Sequence, residues 1–294
     1  MKSGFVAILG RPNVGKSTIL NDILNEKISI VTDKSQTTRN NIRGIYNCPE
    51  AQIVFVDTPG IHKPHQVLGE RMNNYAYSSA HDVDVNILVI DASTNFGSGD
   101  QYLIEHLDLR NVPLIIVFNK IDRVKITHVT DLKNRYIELF PQATIIETVA
   151  LDKFNIDSLI KKVIELLPEG VPFYPTNVLT DKDEIFQIKE IIREKVLRTL
   201  KEEVPHAVAI YLQNIEWEDN PVHIKADIIV EKDSQKGIVI GAQGKRIKLI
   251  GSRARQDIES LLHKHVFLEL FVKVQKDWRN EEKSLETYGY KSEK

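Results

Sequence analysis

The chain predicts an α/β domain, with a mostly parallel sheet covered by helices, followed by a smaller α+β domain of element order αββααβ. Three observations carry this. Apolar, β-branched runs at 5–9, 52–57, 85–91, 114–119 and 143–150 are separated by helix-length segments, the pattern of strands buried on both faces. Prolines and a glycine then interrupt it in "LLPEGVPFYPTNVLTDKDE", a linker composition. Beyond that break the order of elements changes, which divides the chain into 1–170, a linker at 171–180, and 181–294.

In the second part the pattern predicts a helix over 183–201, strands over 207–217 and 222–232, a short helix ending at Gly241, a longer helix over 245–263 and a strand over 266–274. With 294 residues, 42% hydrophobic and 27% charged, the composition is that of a soluble two-domain protein. A formal charge of −2 excludes polyanion binding through net charge, so any nucleic-acid contact must come from a local patch. The single cysteine, Cys48, excludes an internal disulfide and a cysteine-based zinc site. The N-terminal apolar run is short, and no stretch approaches the ~18–20 residues that span a bilayer. A cytoplasmic protein is expected.

Each element carries its own chemistry. "GRPNVGKS", Gly10–Ser17, satisfies G-x-x-x-x-G-K-S/T between a strand and a helix, the context of a phosphate-binding P-loop. Its candidate nucleotide ligands are Gly10, Asn13, Val14, Gly15, Lys16, Ser17 and Thr18. Lys16 can reach the outer phosphates, and the Ser17 hydroxyl can hold magnesium. In "FVDTPG", Asp57 suits a magnesium water and Gly60 offers an N–H to a γ-phosphate; the alternative role for Asp57 is a cap on the next segment. "SQTTRN" lies where a switch would cover the nucleotide, and Thr38, with Thr37 as the alternative, is the candidate magnesium contact. "NKID" supplies Asn119, Lys120 and Asp122. A carboxylate at Asp122 accepts from the N1–H and N2 amino edge of guanine, whereas adenine presents an acceptor at N1, so the nucleotide is GTP or GDP.

These motifs together resemble the translation-factor-like GTPases and, within them, the Era group of TrmE-Era-EngA-YihA-Septin-like GTPases. The resemblance implies that the backbone N–H of Ala150, in "TVAL", approaches guanine O6. Val149 stands where that family usually has serine. Many GTPases place a water-orienting glutamine after the glycine of D-x-x-G; here that residue is Ile61, which cannot orient water. Catalysis then falls to Lys16, Ser17, Thr38, Asp57, Gly60 and Asn13 with Mg2+, and slow turnover, accelerated by a partner or a cation, is expected. Asn13 resembles an asparagine that in related GTPases helps hold K+, and equally suits a turn. His62, His65 and His81 lack a carboxylate cluster at ligand spacing and read as solvated or packing residues.

A second glycine loop, "GAQG" at Gly241–Gly244, is not a P-loop: Val239 stands where the first glycine is needed and Arg246 where the hydroxyl is needed. Between two helices it matches the G-x-x-G loop that clamps single-stranded RNA in KH domains. The αββααβ order is that of a type II KH domain. Candidate RNA ligands are Lys236, Ile240, Gly241, Ala242, Gln243, Gly244, Lys245, Arg246 and Lys248. Residues 236–255 hold six basic side chains and no acidic one. The following helix carries an apolar stripe at Ile247, Ile250, Ala254, Ile258 and Leu261, leaving several bases outward.

Taken over its length, the chain resembles the Era family through "GRPNVGKST", "QTTR", "DTPG", "NKID", the joining segment from Thr180 and "IGAQGKRIKLIGSRARQDIE". That resemblance implies a GTPase that binds the 3′ end of small-subunit ribosomal RNA and assists 30S subunit assembly. It further implies that the nucleotide state gates RNA binding, and that the protein associates peripherally with the inner face of the membrane. No obligate protein partner is indicated. The alternative is a KH-type RNA chaperone whose GTPase half is only structural.

Overall fold

A computed structural model describes residues 1–109, 112–200, 204–218 and 220–292. Strands β1 (Lys2–Gly10), β2 (Ile42–Asn47), β3 (Ala51–Asp57), β4 (Val85–Asp91), β5 (Leu114–Asn119) and β6 (Thr144–Thr148) form one sheet in the order β2-β3-β1-β4-β5-β6. All neighbours are parallel except β2 and β3. Helices α1 (Lys16–Leu24) and α5 (Ile156–Leu166) cover one face, and α2 (Val67–His81), α3 (Ser98–His106) and α4 (Ile126–Leu139) cover the other. Central-strand residues such as Ile8, Leu9 and Ile87 are therefore fully buried, each contributing about 1.5–3 kcal/mol through removal of apolar surface from water. Because β3 and β4 flank β1 on opposite sides, the crevice beyond the carboxyl end of β1 lies at the point where the strand order reverses, the usual ligand position in open α/β sheets.

β2 was not among the strands expected from the apolar runs. Its sequence, "IRGIYN", includes an exposed Arg43 and belongs to an antiparallel edge, where one-sided burial removes the continuous apolar signal. The proline-rich stretch lies against the first domain. Ser3 N–H donates to Pro168 O (3.1 Å), Gln52 Oε1 accepts from Phe173 and Tyr174 N–H (2.6 and 2.9 Å), and Ile45 N–H donates to Leu179 O (2.9 Å).

The second domain contains α6 (Glu184–Thr199), β7 (Ala209–Glu216), β8 (Val222–Val230), α7 (Asp233–Ile240), α8 (Lys245–Leu262) and β9 (Val266–Val274), with α9 (Glu282–Thr287) at its end. Asp183 caps α6 by accepting Phe186 N–H at 2.7 Å. In the sheet β7-β8-β9 the first pair is antiparallel and the second parallel. The predicted stripe on α8 is inward: Ile250, Ala254 and Ile258 are fully buried, with Ile247 and Leu261 packed at the margin. After β9 the chain crosses to the first domain, where Trp278, Leu285 and Tyr290 form a cluster with Leu68 and Met72 of α2 and with Ala209 and Ile229 of the second sheet.

Candidate functional site

The P-loop leaves β1 at Gly10 and enters α1 at Lys16, with Gly15 at φ 109°. A Cβ on Gly15 would lie 2.2 Å from Asn119 Nδ2 and one on Gly60 would lie 2.6 Å from the Pro12 backbone, so both positions require glycine. α1 has no acidic residue in its first turn, leaving its N–H groups and dipole unopposed for an anion. Lys16 is buried and donates to Gly10 O (3.2 Å) and Arg11 O (2.9 Å). Burial pushes its pKa down to about 8, partly offset by the Asp57 carboxylate. A polyphosphate beside this ammonium would supply the counter-charge that burial demands.

A cleft of ≈ 420 Å3 opens above the loop. Asn13, Gly15, Lys16, Ser17 and Thr18 line its floor, with Thr37, Thr38 and Gly60 closing one side. Asn119, Lys120, Asp122 and Ala150 line the far end. Gly10 and Val14 are buried beneath. The structure brings Thr38 to the predicted metal position: its Oγ1 lies 2.9 Å from Ser17 Oγ and 3.3 Å from Asp57 Oδ2, and Ser17 Oγ donates to the same carboxylate at 2.6 Å. Thr37 turns away, with its hydroxyl bonded to Thr32 Oγ1 and Lys34 O, both at 2.7 Å. Asp57 is completely buried, which raises its pKa, and its Oδ1 has no hydrogen-bond partner. Two hydroxyls and a buried carboxylate with one unpaired oxygen fit a hard divalent cation such as Mg2+, which would screen phosphate charge.

Ile61 packs into the core, 1% exposed, and its N–H donates to Gly10 O (3.1 Å). Its side chain thus fixes the D-x-x-G segment to the sheet and faces away from the cleft. His62 joins the two switch segments: its Nδ1 is 2.9 Å from Gly60 O and its Nε2 is 2.9 Å from the Gln36 amide nitrogen. His65 and His81 are exposed, and among the described residues no group of three His, Cys, Asp or Glu side chains could hold a metal.

At the base end, Asn119 clips the loops together. Its Nδ2 donates to Val14 O (2.9 Å), and its Oδ1 accepts from Ala150 N–H (3.0 Å) and Thr148 Oγ1 (3.3 Å). The Ala150 N–H expected at guanine O6 is therefore engaged by Asn119 in this structure. Lys120, at φ 64°, bridges Asn13 O and Asp91 Oδ2, both at 2.6 Å. Asp122 is exposed toward the cleft. Asn13 has φ 63° and donates its amide to Asp33 O at 3.0 Å, so it links the P-loop to the first switch.

In the second domain α7 ends at Ile240. Gly241 (φ 69°), Gln243 (φ 52°) and Gly244 (φ 72°) reverse the chain before α8 begins at Lys245. Ala242 and Gln243 are exposed at the tip, as are Lys245 and Lys248 along α8, whereas Lys236 is half-buried. Arg246, grouped above with the RNA ligands, donates its Nη1 to Ile238 O and so braces the loop. A groove of ≈ 400 Å3 continues from this end between α8 and β9, lined by Ile247, Lys248, Gly251, Arg255, Phe267 and Leu270. The β9 residues were absent from the sequence-based set. The alternation of "VFLEL" marks Val266, Leu268 and Leu270 as one face of the strand, whereas Phe267 belongs to the other face and carries no such signal.

The first sheet, with its phosphate loop and guanine-end motif, joined to an αββααβ domain with a G-x-x-G turn, defines a P-loop GTPase coupled to a type II KH domain. Residues 5–120 match the family described as 50S ribosome-binding GTPase, and residues 203–279 match the KH domain family. Among solved structures, Era in complex with MgGDPNP and nucleotides 1506–1542 of 16S ribosomal RNA is 40% identical, with 99% of each chain covered and a TM-score of 0.95. A variant of Aquifex aeolicus Era bound to GDP and AlF4− is 40% identical over 99% of this chain and 100% of that one, with a TM-score of 0.94. The chain belongs to the Era family of GTPases.

Proposed function

We propose that the protein is a GTP-operated switch whose output is the binding of the 3′ region of small-subunit ribosomal RNA, in the service of 30S subunit assembly. Residues 1–170 are the nucleotide unit, 171–180 the joining stretch and 181–294 the RNA unit. One observation carries the reading: Thr38 of the first switch reaches Ser17 and Asp57 while the segment that holds it is docked on the KH domain. An anion-ready P-loop and a solvent-open G-x-x-G turn in one chain support the same reading. So does family membership, since Era has been crystallised with a GTP analogue and 16S ribosomal RNA together.

In this reading Lys16, the P-loop amides and Gly60 N–H hold the β- and γ-phosphates, and Asp122 selects guanine. Mg2+ held by Ser17, Thr38 and, through its oxygens, Asp57 would neutralise charge on the phosphates. The base N–H contact passes from Ala150 through a turn that Asn119 holds. Exposed bases of α8, with the half-buried Lys236 of α7, attract the RNA backbone, and the α8–β9 groove receives unstacked bases. A K+ ion beside Asn13 would add charge where no arginine or glutamine is supplied; equal GTP turnover in K+ and Na+ removes that role. Among the described residues no helix is long and apolar enough to cross a membrane. Cytoplasmic location and peripheral membrane association belong to this proposal through family resemblance alone, and co-sedimentation with vesicles tests the latter.

Ultraviolet crosslinking of the GTP-analogue-bound protein to small-subunit RNA tests the assignment. Adducts in 236–255 and on β9, mapped to the 3′ end of that RNA, are expected. Crosslinks confined to the first domain would contradict it. GTP hydrolysis absent both with and without ribosomal subunits would favour the RNA-chaperone alternative.

A further inference from the structure

Three successive residues of the first switch have different attachments. Thr37 O accepts from Arg193 Nη2 of α6, and Arg193 is itself fully buried and paired with Glu190 at 2.5 and 2.8 Å. Thr38 reaches Ser17 and Asp57 in the nucleotide site. Arg39, 1% exposed, leaves the first domain altogether. Its Nη1 donates to Val208 O (2.7 Å) and Tyr290 Oη (3.3 Å), and its Nη2 donates to His206 O (3.0 Å) and Pro205 O (3.4 Å). The guanidinium also lies 6.0 Å from the Trp278 ring and 5.9 Å from the Tyr290 ring, within cation–π range.

Such a cage suits only a planar fork of donors, because the acceptors are backbone carbonyls arranged around one plane edge and the walls are aromatic. It is assembled from two parts of the second domain. The short turn Val204–Ala207 and the first residues before β7 give the carbonyls, and the C-terminal segment gives the rings. Trp278 Nε1 donates to Ala207 O at 3.0 Å, tying these two parts together. The same C-terminal segment holds the second switch: Leu68 N–H donates to Arg279 O (3.0 Å), Val67 N–H to Asn280 Oδ1 (3.2 Å), and Arg71 to Tyr290 O. Consecutive Cα atoms are about 3.8 Å apart, so anchors on residues 37 and 39 leave the backbone of Thr38 no independent course.

We propose that Arg39 is a positioning residue for GTP hydrolysis: seated in the KH domain, it holds Thr38 over the metal position, so that the docked second domain completes the GTPase site in cis. The missing glutamine at Ile61 is then compensated by ordering of the switch rather than by a substitute side chain. The inference rests on the reading of Thr38 as a nucleotide-site residue given above, and deepens it by naming what places that residue. Undocking the KH domain would remove the cage around Arg39 and the Arg193 contact together and open the first switch.

The test uses the full-length protein with Arg39→Ala, Arg39→Lys and, as reference, Thr38→Ala. Single-turnover GTP hydrolysis, affinities for GDP and a GTP analogue, and RNA affinity in both nucleotide states are measured. Arg39→Ala is expected to slow hydrolysis roughly 10- to 100-fold, the effect of a misplaced site residue, and to weaken the analogue but not GDP, which makes no demand on Thr38. Its RNA affinity is expected to become the same in both states. Arg39→Lys, with the charge but not the fork, should fall between, and it serves as the readout if Arg39→Ala does not fold. Wild-type hydrolysis in both Arg39 variants, or an equal loss of GDP and analogue affinity, overturns the proposal. Unimpaired hydrolysis in Thr38→Ala would instead overturn the underlying reading of the nucleotide site.

Discussion

The two glycine loops use the same backbone freedom for opposite ends. Around the nucleotide cleft, glycine makes room inward: Gly15 of the P-loop is pressed against Asn119, Gly60 of the D-x-x-G segment is pressed against Pro12 of the P-loop, and Lys16 is buried. In the G-x-x-G turn, Gly244 has φ 72° with nothing within 4 Å of the Cβ position, and its flanking Gln243 and Lys245 are exposed. The first loop is built to enclose one small polyanion, and the second to let a long one pass over it. The degree of enclosure, more than the presence of glycine or lysine, separates a nucleotide site from a strand-gripping site.

The largest effect that could break this comparison is expected at Lys16. Lys16→Ala should lower GTP hydrolysis about 1,000-fold, since it removes a charged donor from an enclosed site, and should leave RNA affinity in the GDP state intact. Measured turnover within 10-fold of wild type would mean the first loop is as open as the second. Asp122→Ala should weaken GTP about 100-fold through loss of two hydrogen bonds to a charged acceptor, with xanthosine triphosphate gaining nothing; calorimetry reads this directly.

A smaller effect sharpens the contrast from the other side. Ala242→Asp combined with Gln243→Asp places two negative charges at the exposed tip and should weaken RNA roughly 10- to 100-fold by phosphate repulsion, with GTP turnover unchanged without RNA. The smallest expected effect is that of Gly244→Ala, with Gly15→Ala as its contrast. Gly244→Ala meets only the left-handed backbone penalty of about 1–2 kcal/mol, read as a modest shift in the denaturant midpoint. Gly15→Ala adds a clash with Asn119 and should abolish tight nucleotide binding. Equal behaviour of the two alanine variants would remove the distinction.

A titration tests the enclosure of Lys16 further. Lys16 has its pKa lowered to about 8 from 10.5 by burial, so below pH 8 the buried cation opposes folding in full. Between pH 8 and 10.5 the unfolded chain binds more protons than the native one, and stability of the nucleotide-free protein should rise with pH. Relative to Lys16→Met, the gain in the wild-type protein between these pH values should be roughly 3 kcal/mol by urea unfolding.

Much of this arrangement was legible in the sequence where chemistry and periodicity coincide. Gly15, Lys16, Ser17 and Asp57 announce themselves because phosphate and magnesium binding constrain residue type and spacing. Strands β4, β5 and β9 have the bounds read from their apolar runs. What escaped were features set by tertiary context. β2 is a polar edge strand. The bond from the Arg246 guanidinium to Ile238 O, which braces the loop, has no signal in the sequence. Arg39 is given no role by the motif that contains it, yet it is among the largest fully buried side chains. Trp278, Leu285 and Tyr290 are spaced too irregularly to signal an element, and only their meeting with α2 makes them a contact between domains.

The central claim is that one loop's occupant controls the other's. Equilibrium binding of a labelled single-stranded RNA carrying the 3′ sequence of small-subunit ribosomal RNA, measured at fixed salt with the full-length wild-type protein, tests it most directly. The account predicts tighter binding in the magnesium GTP-analogue state than in the GDP state. Equal affinity in the two states would contradict it.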